Sequence, residues 1–213
     1  MHSSQIRAFA IAAAMVGWSF VAPRVRFHPA QSAALGTGLY ALARPPLGLR
    51  PPELWSGVRH GLAAGALLAL GVAATTLVPS VRAGMAAREL PARPARWMLL
   101  DIPLGTVWPE EVAYRAILGT ESERAFGTAG GRLLQAVAFG LWHIMDARIT
   151  KNPVAGTVVV TGAAGWGFGW LYARSGSVIA PMLAHLAVNQ TAAVAALYVQ
   201  RRRTQTSRIS ATS

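Results

Sequence analysis

The stretch GVRHGLAAGALLALGVAATTLVP, residues 57–79, carries one charge, Arg59, and from Gly61 onward consists chiefly of Ala, Gly, Leu and Val without alternation of polar and apolar positions. A hydrocarbon core of about 30 Å is crossed by about 20 helical residues, because a helix satisfies its own backbone polar groups where no water is present. The stretch therefore predicts a membrane-spanning helix. Within it Gly61 and Gly65 form a small-xxx-small pair, a packing feature that lets a second helix approach closely. His60, beside Arg59, reads as an interfacial helix-end residue.

Six further apolar blocks flank this one, at residues 6–22, 29–43, 97–118, 131–145, 154–172 and 178–199. The expected fold is all-α, a polytopic transmembrane helical bundle of about seven spans, six to eight being the range because blocks 29–43 and 131–145 are short. Composition agrees: the 213 residues are 13% charged and 53% hydrophobic. The absence of cysteine excludes disulfides, thiolate metal sites, a cysteine nucleophile and palmitoylation. The chain divides into N-terminal transmembrane helices (1–96), a core whose spans hold polar residues (97–200) and a polar, basic segment (201–213) expected to be a disordered tail.

The formal charge of +12 does not indicate nucleic acid, because the arginines are scattered through short connectors and form no basic surface with interleaved aromatics. It reads instead as topology. With seven spans, one set of connectors holds twelve of the nineteen Lys and Arg residues other than Arg115, and the alternate set holds seven. That bias predicts a cytoplasmic C-terminus, a cytoplasmic VRAGMAARELPARPAR connector and an external N-terminus, in a plasma membrane protein. PRVR after the first block is more basic than the single Arg7 before it, which suits an uncleaved helix.

Polar residues inside spans cost about 2.5–3.5 kcal/mol each when ionised, so a group of them marks a functional interior. WPEEVAYRAIL, residues 108–118, places Glu111 and Arg115 at i,i+4 with the glutamate N-terminal, the favourable order for an ion pair. Glu110 is rotated by about 100° from Glu111 and faces elsewhere, toward Tyr114 one turn on. Pro109 deprives the Gly105 carbonyl of its usual donor and predicts a kink. FGLWH sets Phe139 and His143 one turn apart, and Asp146 follows in what reads as the headgroup region. HLAVN sets His185 and Asn189 on one face of an apolar span. A carboxylate, two imidazoles and a carboxamide suit hydrolysis, with Glu110 as general base and N–H groups facing the developing oxyanion. The same set matches a water-holding zinc site of Glu110, His143 and His185, although no HExxH is present.

The three motifs, EExxxR, FxxxH and HxxxN in that order, resemble the CPBP family of intramembrane proteases, which includes the type II CAAX prenyl endopeptidases and bacterial abortive infection proteins. GWGFGWLYARSGSVIAPMLAHLAVN is also similar to that family's Gly-rich helix, turn and final motif. The resemblance covers about residues 97–199. It implies that Glu110 and His143 activate the attacking water, that His185 and Asn189 hold the oxyanion, that Glu111 and Arg115 are a supporting pair, and that Phe139 packs near the site. It implies an endopeptidase acting without a metal cofactor, zinc being the alternative, on a membrane protein or lipidated peptide. A non-proteolytic scaffold or immunity protein of the same family is the competing expectation. Helix rise sets Glu110 about 20 Å into its span, so its site requires a water-filled cavity at bilayer depth.

Overall fold

The computed structural model describes residues 2–25 and 27–212, and among them every regular element is a helix. In chain order these are α1 (Ser3–Val25), α2 (Pro29–Ala43), α3 (Glu53–Thr75), α4 (Pro79–Ala87) and α5 (Pro94–Arg96). A first π-helical segment (Trp97–Val107), the short α6 (Trp108–Glu111) and a second π-helical segment (Val112–Gly119) follow. Then come α7 (Thr120–Trp142), α8 (Ile144–Ile149), α9 (Val154–Ser175) and α10 (Ile179–Thr212).

Local chemistry starts and stops several of these. Pro29 occupies the first turn of α2, where a missing N–H costs nothing, while the His28 ring accepts from the Ala30 N–H and Gln31 reaches back to the His28 N–H at 2.8 Å. Gly176, at φ +70°, ends α9 in the left-handed conformation.

Among the described residues four helices are long and apolar enough to cross a membrane: Ser3–Val25, Glu53–Thr75, Val154–Ser175 and the Ile179–Arg203 part of α10. Their outward faces carry large apolar side chains such as Leu62, Leu67, Leu70, Val159 and Val160, each more than half exposed. The protein is an integral membrane protein built as a helical bundle. The other three expected spans take different forms. The 15 residues of α2 rise only about 22 Å, residues 97–118 are interrupted by π-helical turns, and residues 131–145 form the second part of α7 together with α8.

Within the bundle α10 packs along α3, α9 along α7, and α1 against α7. The α3–α10 contact runs over the face of Gly57, Gly61 and Gly65. A Cβ on Gly61 would lie 2.9 Å from both the Ala180 carbonyl and Leu183, and one on Gly65 would lie 3.2 Å from Ala187. The small-residue pair thus packs as its spacing implies, with Gly57 as a third member. At α7–α9 a Cβ on Gly140 would stand 2.7 Å from the Val158 carbonyl. Gly127, at φ +71°, reverses the chain within α7, and its second part lies beside residues 112–119.

The helix α10 continues through the basic segment from Arg201 to Thr212; extending an existing helix needs no new nucleus. One expectation changes. The kink attributed to Pro109 alone is instead spread over two π-helical segments, in which the Trp108 N–H bonds to the Pro103 carbonyl five residues back. Arg26 and Ser213, counted in the basic connector and tail, lie outside the described residues.

Candidate active site

The site is built around α6, the four-residue α-helical piece between the two π-helical segments. Such wide turns are rare and concentrate at functional sites. They set the aim of the two adjacent glutamates.

Glu111 points into the bundle and is fully buried, as is Arg115. The guanidinium donates from Nε to Glu111 Oε2 at 2.9 Å and from Nη2 to Oε1 at 3.2 Å, the two-pronged geometry that matches carboxylate best. The face of the Arg115 guanidinium lies 4.1 Å from the centre of the Phe139 ring and 5.4 Å from that of Phe168. Its remaining arm meets Gln135. With the amide oriented as its neighbours require, the Gln135 oxygen accepts from Arg115 Nη1 at 2.7 Å. Gly169 makes room for that amide, since a Cβ there would come within 2.6 Å of it.

His185 arrives from α10 and closes the network. Its Nδ1 donates to Glu111 Oε1 at 2.8 Å, and its ring stacks on Phe168 with centroids 5.3 Å apart. Spacing had assigned Glu111 to Arg115 alone; the fold adds a histidine 74 residues away. This contact also fixes ring chemistry. A neutral His185 carrying its proton on Nδ1 offers a bare Nε2, whereas a ring protonated on both nitrogens donates from Nε2, with Glu111 facing the other side.

His143 sits at the junction of α7 and α8, half-buried. Its Nδ1 donates to the Phe139 carbonyl at 2.7 Å, which leaves Nε2 as an acceptor. That backbone bond, and not Asp146, orients the ring; Asp146 is exposed at a cavity rim. Phe139 meets both histidines, with ring centroids 4.7 Å from His143 and 6.2 Å from His185. Asn189 is half-buried one turn beyond His185 on α10.

Glu110 behaves differently from its neighbour. It lies on the wall of a cavity of about 780 Å³. Its Oε2 is buried and has no hydrogen-bond partner among the described residues. The cavity lies between α1, α2 and the Glu110 helix, with Met15, Trp18, Leu35 and Leu39 on the far walls and Tyr114 and Trp142 beside the glutamate. The N-terminal helices, which show no chemistry of their own in the sequence, therefore form much of the enclosure. His143, His185 and Asn189 do not line this cavity. The aromatic cluster connects the parts, because the Tyr114 ring meets Phe139 at 5.0 Å and Trp142 at 5.8 Å.

Among the described residues no group of three His, Cys, Asp or Glu side chains is placed to hold a metal ion, and Glu111 takes Nδ1 of His185. Gln135, Tyr114 and Phe168 are the participants that motif spacing alone did not single out as site residues. The visible signal for Gln135 was a polar residue one turn before Phe139 in an apolar block.

Comparison with known proteins bears on the same region. A family model, type II CAAX prenyl endopeptidase Rce1-like, matches residues 92–191. No curated protein and no solved structure matches the chain. The matched segment contains Glu110, Glu111, Arg115, Phe139, His143, His185 and Asn189. Residues 92–191, just under half of the chain, are thus similar to the type II CAAX prenyl endopeptidase Rce1-like family.

Proposed function

We propose that the protein is an intramembrane endopeptidase that hydrolyses a peptide bond of a membrane-associated substrate by carboxylate-activated water. The observation that supports this most directly is the contrast between the two adjacent glutamates. Glu111 is held by Arg115 and His185, whereas Glu110, a residue of the cavity wall, keeps a buried oxygen without a partner among the described residues. An unsatisfied buried carboxylate oxygen is expensive, and a scaffold gives no reason to keep one.

In the proposed reaction Glu110 removes a proton from water while the water oxygen bonds to the scissile carbonyl carbon. His143 Nε2, left as an acceptor by its bond to Phe139, takes part in orienting that water. His185 and Asn189 face the oxyanion, His185 donating from Nε2 in the doubly protonated form that Glu111 accommodates. The proton on Glu110 then passes to the amide nitrogen as the carbon–nitrogen bond breaks. Glu111, Arg115 and Gln135 hold the frame. No step runs through a metal. A volume of about 780 Å³ with apolar walls suits a lipidated peptide or a transmembrane segment in extended form.

The test compares new peptide termini in membranes from cells carrying wild type or Glu110→Gln at matched levels of folded protein. Termini that vanish only in the variant are expected, and they identify the substrate. An unchanged set across several growth conditions overturns the reading in favour of a scaffold.

A further inference from the structure

The face of the bundle where α7 and α9 meet carries a groove that the candidate active site does not use. It holds about 330 Å³ and is lined throughout by apolar side chains and glycine. Gly140 and Gly162 lower its floor where the two helices cross, and a Cβ on Gly140 would already lie 3.2 Å from Gly162 Cα. Leu133, Val137 and Val159 form its rims and are each about half exposed or more, so the groove faces outward to the bilayer.

In a membrane, apolar character alone does not choose an occupant, because lipid tails are as apolar as the groove. The choice is made at one end. Trp166 stands at that end, and the Arg132 guanidinium lies 5.4 Å from the centre of its ring. Arg132 makes no hydrogen bond among the described residues, and its Nε is buried without a partner. Glu123 is within reach of its charge, yet the two form no direct ion pair. Gly127, at φ +71°, reverses the chain five residues earlier, and irregular backbone is kept out of hydrocarbon, so that reversal marks the membrane surface. Arg132 then lies about 7 Å inside, a depth from which its long side chain reaches back toward the phosphate level. From Leu133 to Leu141 the groove runs about 12 Å further toward the middle of the bilayer.

A cation near the surface above an apolar slot is the complement of a phospholipid. We propose that the groove between α7 and α9 is a binding site for one phospholipid, its phosphate held by Arg132 and one acyl chain laid along Gly140 and Gly162. Arginine suits this contact because its terminal N–H groups meet two phosphate oxygens at once. The acyl chain fills space that helix contact leaves empty, and so braces the two helices that carry Gln135, Phe139 and Phe168. The inference stands apart from the peptidase reading and holds for a scaffold equally.

The test uses the full-length protein in mild detergent, stripped of lipid and titrated with dioleoyl phosphatidylethanolamine or with dioleoylglycerol, which has the same chains and no phosphate. Native mass spectrometry reads the number of lipids bound and the oligomeric state. One phospholipid per chain is expected, and both the change to dioleoylglycerol and the Arg132→Gln substitution should weaken binding about tenfold, the scale of a charge-assisted hydrogen bond. Ala163→Phe, which fills the groove from an exposed position, is expected to weaken it as well. Arg124 is exposed on the same helix and serves as control, Arg124→Gln being expected to stay within about twofold of wild type. Equal binding of the two lipids, or wild-type binding in Arg132→Gln, overturns the phosphate contact and the proposal with it. Wild-type binding in Ala163→Phe overturns the site whether or not Arg132→Gln folds. An equal loss in Arg124→Gln assigns the effect to surface charge at large and overturns it too. A dimer that Ala163→Phe dissociates gives the groove to a second copy of the chain and likewise overturns the lipid.

Discussion

At the scale of single residues, two glutamates that are adjacent in sequence occupy opposite kinds of site. Replacing Glu111 with Gln leaves Arg115 fully buried with its charge uncompensated, a change that costs about 3–5 kcal/mol when one partner of a buried pair is removed. Glu110→Gln removes an oxygen that bonds to no described residue, and stability should hold or rise. Thermal unfolding in detergent, followed by size-exclusion chromatography of the folded fraction, checks the pair. Equal losses would refute the division of roles. The metal question is also decided at this scale, by elemental analysis. Purified protein is expected to carry no stoichiometric zinc, and stoichiometric zinc that disappears in His143→Ala would show that the imidazole is a ligand after all.

At the scale of elements, the site depends on how closely α10 can approach α3. His185 reaches Glu111 only if α10 sits deep in the bundle, and Gly61 permits that depth, since even a Cβ there would meet the Ala180 carbonyl at 2.9 Å. Gly61→Leu is expected to destabilise the protein by about 1–3 kcal/mol through overpacking. It should lower peptidase activity more than the lost folded fraction explains, because it displaces the helix that carries His185. Gly71 lies on the same helix with open space around it, so Gly71→Ala should stabilise by about 0.8–1.0 kcal/mol through helix propensity alone. Thermal midpoints of the two variants, read beside activity per folded molecule, test the claim; similar midpoints would show that the α3–α10 face tolerates bulk.

At the scale of the whole molecule, the bundle brings its charged network inside and leaves leucine and valine outside, the arrangement expected where lipid replaces water. The positive-inside bias counted on seven spans predicts an orientation, and the cysteine-free chain makes it simple to measure. Ser3→Cys should react with an impermeant maleimide on intact cells, and Gln205→Cys only after the membrane is opened. The reverse pattern would invert the topology and place the cavity mouth toward the other leaflet.

The sequence by itself determined the membrane class, the helical architecture and the Glu111–Arg115 pair. These are written in runs of about twenty apolar residues and in one-turn spacings, both local properties of the chain. It also held the three motifs in order. Tertiary structure alone decided which polar groups meet. Glu111 is shared with His185 across 74 positions, Gln135 completes Arg115 from α7, and α1 and α2 enclose a cavity although they contribute no motif. The π-helical turns on either side of α6 were not readable from Pro109, because the number of residues per turn there is fixed by packing against α2, α7 and α10. Contacts between distant helices depend on the depth and angle at which those helices pack, and no single segment carries that information.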